Sequence, residues 1–211
     1  MPSVYSRTCT SVYSIVSAQE RFVENSGFVC LYADNSNLFI EGKKVARNRG
    51  EDAKKFRLYF PNLISALAAH RKIEHVVWGG SIPPKNDQLW DYLRKVDVEP
   101  DLLPRSETGE NETVDHLIQL RMYRHARQFR DSPGTIVLLT GDGKGYFKNE
   151  GFLYDIEGFV NDGWAVEVAS WDHCCNAKMR EFAKDRGKYI KLDDLYEKIS
   201  FISGGRVVSK L

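Results

Sequence analysis

The feature that most constrains how this chain can fold is an alternation of short, unbroken apolar runs with segments whose apolar residues recur at helical spacing. Phe28-Val29-Cys30-Leu31-Tyr32-Ala33 contains no charged residue, as a strand buried on both faces requires. His75-Val76-Val77-Trp78-Gly79-Gly80 and Thr135-Ile136-Val137-Leu138-Leu139-Thr140 read the same way. Ala165–Ala169 and Tyr189–Lys191 add two more strands, and a weaker one lies within Val96–Leu103.

Helical spacing fills the gaps. Asn35, Ser36 and Asn37 offer caps before Leu38-Phe39-Ile40. Phe56, Tyr59, Phe60, Leu63, Ile64, Leu67 and Ala68 predict a helix in which Pro61 is a break or kink. Pro83-Pro84 suits the first turn of a helix carrying Leu89, Trp90 and Leu93. Val114, Ile118, Met122, Ala126 and Phe129 form the stripe of a long helix, and further helices are expected near 151–162, 176–186 and 193–200. Strands alternating with helices mean a parallel sheet covered on both faces, an α/β fold. Right-handed crossovers bring all the strand ends to one edge, and a ligand site is expected beyond their carboxyl ends. The reading is a Ser/Thr-rich arm over residues 1–26, one domain over 27–200 and a tail over 201–211.

The totals exclude several classes. Lys and Arg number 30 against 29 Asp and Glu, so any nucleic-acid footprint must be a local patch. Cys9, Cys30, Cys174 and Cys175 show no zinc spacing and make a poor disulfide framework, which suits reduced thiols in an intracellular, cytoplasmic protein. No apolar run is long enough to span a membrane, and with no charged start followed by an apolar stretch at the N-terminus, secretion is not expected. Ser209-Lys210-Leu211 would be a peroxisomal address at a true C-terminus.

Three acids fall where the strand-end rule points. Asp34 follows the first strand, Asp142 follows the strand ending at Thr140, and Asp115 lies in the first turn of the long helix. Brought together, such carboxylates repel one another unless a hard cation such as Mg²⁺ or Mn²⁺ intervenes. Each also has a plain structural reading: Asp34 as a helix cap, Asp115 as an acid favoured by the helix dipole, Asp142 as a turn residue between Gly141 and Gly143. Asn35 and Asn37 could orient a water or a phosphate or simply cap the helix, and Thr140 could hydrogen-bond a carboxylate.

Basic residues cluster locally. Lys43, Lys44, Arg47 and Arg49 follow the first motif, and Arg121, Arg124, Arg127 and Arg130 recur along the helix of Asp115. Such stripes either track a phosphate backbone or form a solvated face. Tyr146 and Phe147 could stack on an unpaired base or pack in the core. The five histidines show no pairing that suggests ligands. Trp171-Asp172-His173-Cys174-Cys175 holds a Cys/His pair, but no third group to orient it as a nucleophile is evident. Gly141-Asp142-Gly143-Lys144-Gly145 matches neither the dinucleotide-binding nor the Walker spacing.

Asp34-Asn35-Ser36-Asn37-Leu38-Phe39-Ile40-Glu41-Gly42, then Val114-Asp115, then Leu139-Thr140-Gly141-Asp142-Gly143 resembles the NYN domain, a branch of the PIN-like nuclease superfamily. Trp78-Gly79-Gly80-Ser81-Ile82-Pro83-Pro84 with Leu89-Trp90, and Gly163-Trp164 with Val166-Glu167-Val168, extend the likeness over about residues 27–192. The resemblance implies a three-layer α/β/α sandwich and metal-dependent cleavage of RNA, expected to be single-stranded. Asp34, Asp115 and Asp142 match the family's acidic positions and would hold Mg²⁺ or Mn²⁺; Asn37 matches the position following the first acid. Asn35, Asn37, Lys144 and Arg121 are the expected substrate contacts. The chain departs from the pattern at Lys144, where many members carry a second acid; Glu150, Asp155 and Asp162 are the acids that could stand in. The alternative expectation is a weakly active or inert RNA-binding module of the same fold.

Overall fold

The computed structural model describes residues 27–82, 88–95, 98–104, 113–144 and 148–211. The arm of residues 1–26, Pro83-Pro84, and Tyr146 with Phe147 lie outside the described residues. Along the chain run β1 (Phe28–Asp34), α1 (Asn35–Asn48), β2 (Phe56–Leu58), α2 (Phe60–Ala68), β3 (Lys72–Ile82), α3 (Gln88–Arg94), β4 (Glu99–Pro104) and α4 (Thr113–Gln128). The second half continues with β5 (Thr135–Leu139), α5 (Gly151–Asn161), β6 (Ala165–Ser170), α6 (Ala177–Arg186) and β7 (Lys188–Lys191). A 3₁₀ turn (Leu192–Leu195), α7 (Tyr196–Ile199) and β8 (Ser200–Ile202) complete it.

Six strands form one parallel sheet in the order β4-β3-β1-β5-β6-β7. Successive residues of β1 serve opposite faces, as the pleat demands. Val29, Leu31 and Ala33 enter a core shared with α1, α2, α3 and α7, while Cys30 and Tyr32 enter a second core under α4, α5 and α6. Both faces of the sheet are thus covered, and the fold is a three-layer α/β/α sandwich. Among the described residues no helix is long and apolar enough to cross a membrane.

From β1 the chain winds outward through β3 and β4, then returns to the other side of β1 and winds outward through β5, β6 and β7. The strand order therefore reverses between β1 and β5. The crevice beyond the carboxyl ends of that strand pair is where open α/β sheets take their ligands.

Some expectations are corrected. Phe56–Leu58 is a strand, and the helix begins only at Phe60, so Pro61 occupies its first turn and neither breaks nor kinks it. The Phe56 and Leu58 side chains are buried on either side of exposed Arg57, a two-residue period that three residues cannot display clearly in sequence. β2 pairs antiparallel with β8, which takes Phe201 and Ile202 out of the expected tail. Beyond them the Arg206 guanidinium reaches Glu51 at 2.6 Å and the Ser200 carbonyl at 2.7 Å. The expected helix near 193–200 is a 3₁₀ turn, a single α-helical turn and the start of β8.

Candidate functional site

Asp34 stands at the end of β1 and caps α1. Its Oδ1 accepts the Ser36 N–H at 3.0 Å and the Asn37 N–H at 3.2 Å. On the adjacent strand, β5 ends at Leu139, and the buried Thr140 hydroxyl donates to Asp34 Oδ2 at 3.5 Å. That hydroxyl oxygen accepts the Asp142 N–H at 3.2 Å, so one threonine links the Asp34 carboxylate to the Asp142 backbone across the switch point. Asn37 Oδ1 accepts the Gly141 N–H at 3.1 Å, a second tie between α1 and the β5 loop. Asn35 Oδ1 accepts the Trp78 indole N–H at 3.1 Å and fixes α1 to β3. The oxygens of both asparagines thus position the edge, which leaves their amide nitrogens as the groups suited to an anion.

Asp115 arrives from the opposite layer. Asp34 is in register with Gly79 of β3, and α4 crosses directly above that glycine. A Cβ on Gly79 would lie 2.5 Å from Ile118 and 3.1 Å from Val114, so only glycine permits this approach. Half-buried Asp115 follows Val114 in the first turn of α4, beside the same edge. The three carboxylates share an edge but do not converge tightly. Among the described residues, the triads with ligand atoms all within 4.8 Å of one another are Glu41–His173–Cys174 and His75–Glu99–His125. The oxygens of Asp34, Asp115 and Asp142 are hard donors of the kind suited to Mg²⁺ or Mn²⁺.

Lys144 meets Asp142 directly. Its backbone N–H donates to Asp142 Oδ1 at 2.9 Å, and its exposed ammonium lies 3.5 Å from Oδ2. Arg121 is held by a carboxylate that sequence reading passed over: its Nε and Nη2 each donate to Asp101 at 2.9 Å. Asp101 lies in β4 in register with Gly79, at the level of Asp34, and the weak strand signal there concealed it. The remaining basic residues of that stripe, Arg124, Arg127 and Arg130, are exposed.

Of the acids that could replace the missing one, Asp155 is buried and accepts from Gln119 at 2.5 Å and from the Tyr123 hydroxyl at 2.9 Å. Burial raises its pKa despite those bonds. Gln119 is one helical turn beyond Asp115 and shares its face of α4. Glu150 and Asp162 flank α5 and are exposed.

Three histidines depart from the expectation of no pairing that suggests ligands. His75 and His125 stack with ring centroids 3.6 Å apart; Glu99 lies 3.0 Å from His75 Nδ1, and the Tyr32 hydroxyl 3.0 Å from His125 Nδ1. His75 is in register with Cys30, four residues before Asp34 and roughly 13 Å back along the strand. His173 lies 2.8 Å from Glu41. These partners come from different elements, and no spacing in sequence announces them. Burial pushes the Cys174 thiol up to about 11, so it is not an activated nucleophile.

No protein-family model and no curated protein matches the chain. A crystal structure of a protein of unknown function from Vibrio parahaemolyticus is similar over 81% of this chain and 96% of that one, with a TM-score of 0.59 and 15% sequence identity. At that identity the likeness extends to the fold alone.

Proposed function

We propose that this chain is a metal-dependent ribonuclease acting on single-stranded RNA at the edge formed by Asp34, Asp115 and Asp142. The observation that carries the reading is the pair of acids flanking the switch point, Asp34 ending β1 and Asp142 beyond β5, joined through Thr140. Asp34, Asp115 and Asp142 are the groups that would hold Mg²⁺ or Mn²⁺. The bound ion supplies positive charge and an acidified water.

The chain's own residues supply the rest. Thr140 and Asn37 fix the spacing between the two strand ends, so an RNA phosphate meets a preset edge. Exposed Lys44, Arg47, Arg124 and Arg127 attract the backbone without reading bases. Lys144 supplies an exposed ammonium beside Asp142 for a phosphate.

The test is cleavage of a labelled single-stranded RNA with Mg²⁺ or Mn²⁺, with binding followed separately by polarisation. We expect cleavage that needs the metal, and its loss in Asp142→Asn with RNA affinity kept within about threefold. Cleavage persisting in Asp142→Asn sinks the assignment of the site.

A second reading rests on the Lys144–Asp142 contact: a cation offsetting that carboxylate would leave an RNA-binding module with little or no activity. Binding without cleavage by the native chain, together with cleavage gained in Lys144→Asp, would favour it.

A further inference from the structure

A second cluster lies beside this edge but belongs to neither reading. Glu41 projects from the second turn of α1, and His173 and Cys174 sit in the loop between β6 and α6. The backbone bond from the Cys174 N–H to the Trp171 carbonyl closes a turn at 3.2 Å, which carries both side chains towards Glu41. The Trp171 indole donates to the Leu38 carbonyl at 2.8 Å and locks the loop against α1. The two donor-bearing segments are therefore held before any ligand arrives.

We propose that Glu41, His173 and Cys174 form a binding site for a late first-row divalent cation of the zinc class. The carboxylate oxygen, imidazole nitrogen and thiol sulfur all lie within 4.8 Å of one another. Tetrahedral coordination at ordinary zinc bond lengths places donor atoms about 3.3–3.6 Å apart. Small side-chain rotations reach that spacing from the present arrangement, in which His173 Nε2 is 2.8 Å from Glu41 Oε2.

The mixture of donors discriminates. A thiolate and an imidazole favour zinc-class ions over Mg²⁺, which suits the neighbouring carboxylates instead. Ser170 lies 3.6 Å from the Cys174 sulfur and steadies it from behind. Lys44, 2.7 Å from Glu41 Oε1, is half exposed on a flexible stem and can swing aside. Three protein ligands with an exposed His173 leave a fourth position for water, the open form of zinc site.

The stacked pair His75–His125 makes a poorer cage. Its rings lie 8° from parallel, so their in-plane lone pairs run alongside each other instead of converging.

The test is titration of the full, reduced chain with Co²⁺. It is read by thiolate-to-cobalt charge-transfer absorption and tetrahedral d–d bands, with Zn²⁺ affinity measured by competition against a chromophoric chelator. We expect one equivalent with a thiolate band, displaced by Zn²⁺, absent in Cys174→Ser and retained in Cys175→Ser and Asp34→Asn. Affinity should fall about tenfold or more in His173→Ala and in Glu41→Gln. His173 is exposed, so its replacement tests the site without disturbing the core. No thiolate band in the native chain, a band surviving Cys174→Ser, or undiminished affinity in both His173→Ala and Glu41→Gln would overturn the proposal. Loss of the band in Asp34→Asn would overturn its independence from the aspartate edge.

Discussion

Asp34 has two duties that substitution can separate. As a cap it needs only an acceptor oxygen for the Ser36 and Asn37 N–H groups, which asparagine also provides. As a cation ligand it needs its charge. Asp34→Asn should unfold in urea within a few tenths of a kcal/mol of the native chain, and Asp34→Ala about 1 kcal/mol below it. Both should lose metal-dependent cleavage; equal stabilities for the two variants would remove the cap from the account. His125 makes a residue-scale prediction of another kind. Burial, followed by the nearby His75, depresses its pKa from 6.5 to about 4. The unfolded chain then binds the extra proton first as the solution is acidified, so this stabilising contribution is complete above the unfolded value and fades as pH falls towards 4. Between about pH 7.5 and pH 5 the native chain should lose roughly 2 kcal/mol that His125→Gln does not. Parallel curves for the two proteins in urea titrations would refute it.

Arg71 and Glu167 set a prediction between elements. Glu167 of β6 is buried, and Arg71, just before β3, grips both its oxygens at 2.9 and 3.0 Å. Removing one partner strands a buried charge, so Arg71→Ala should cost about 3–5 kcal/mol. The double change Arg71→Met with Glu167→Leu should restore most of that in denaturant melts; a double variant as weak as the single one would place the cost elsewhere. Gly79 governs how closely α4 lies on the sheet. The methyl of Gly79→Ala would meet fully buried Ile118, so overpacking should cost about 1–3 kcal/mol and shift Asp115 away from the edge. At this scale the sequence was legible where elements are long or fully apolar, as in β1, β5 and α4. It was not legible at β2, where three residues carry too little period, nor at β8, whose pairing depends on a partner more than a hundred residues away.

Across the whole molecule, the winding of the chain sets where a cation can act. The strand order reverses between β1 and β5, and Asp34 and Asp142 flank that switch point, linked through Thr140. If Mg²⁺ binds there, it stabilises the folded chain by mass action. At a hundredfold its dissociation constant the gain is about 2.7 kcal/mol, which for a domain of this size raises the melting temperature by roughly 5–10 °C. Scanning calorimetry should show that rise in the native chain and little of it in Asp142→Asn; equal rises in both would move the ion elsewhere.

The sequence alone determined the layer architecture and the candidate acids. Strand and helix periods are local, and an acid after a buried strand can be placed at the sheet's edge by the crossover rule without knowing the neighbours. What only the tertiary structure decided is which side chains share a contact. Thr140 bridging Asp34 and Asp142, Asp101 holding Arg121, His75 stacked on His125, and Glu41 facing His173 each join segments between twenty and more than a hundred residues apart. Such pairings follow from strand order and from how closely helices approach the sheet. Neither is encoded in the neighbourhood of any one residue.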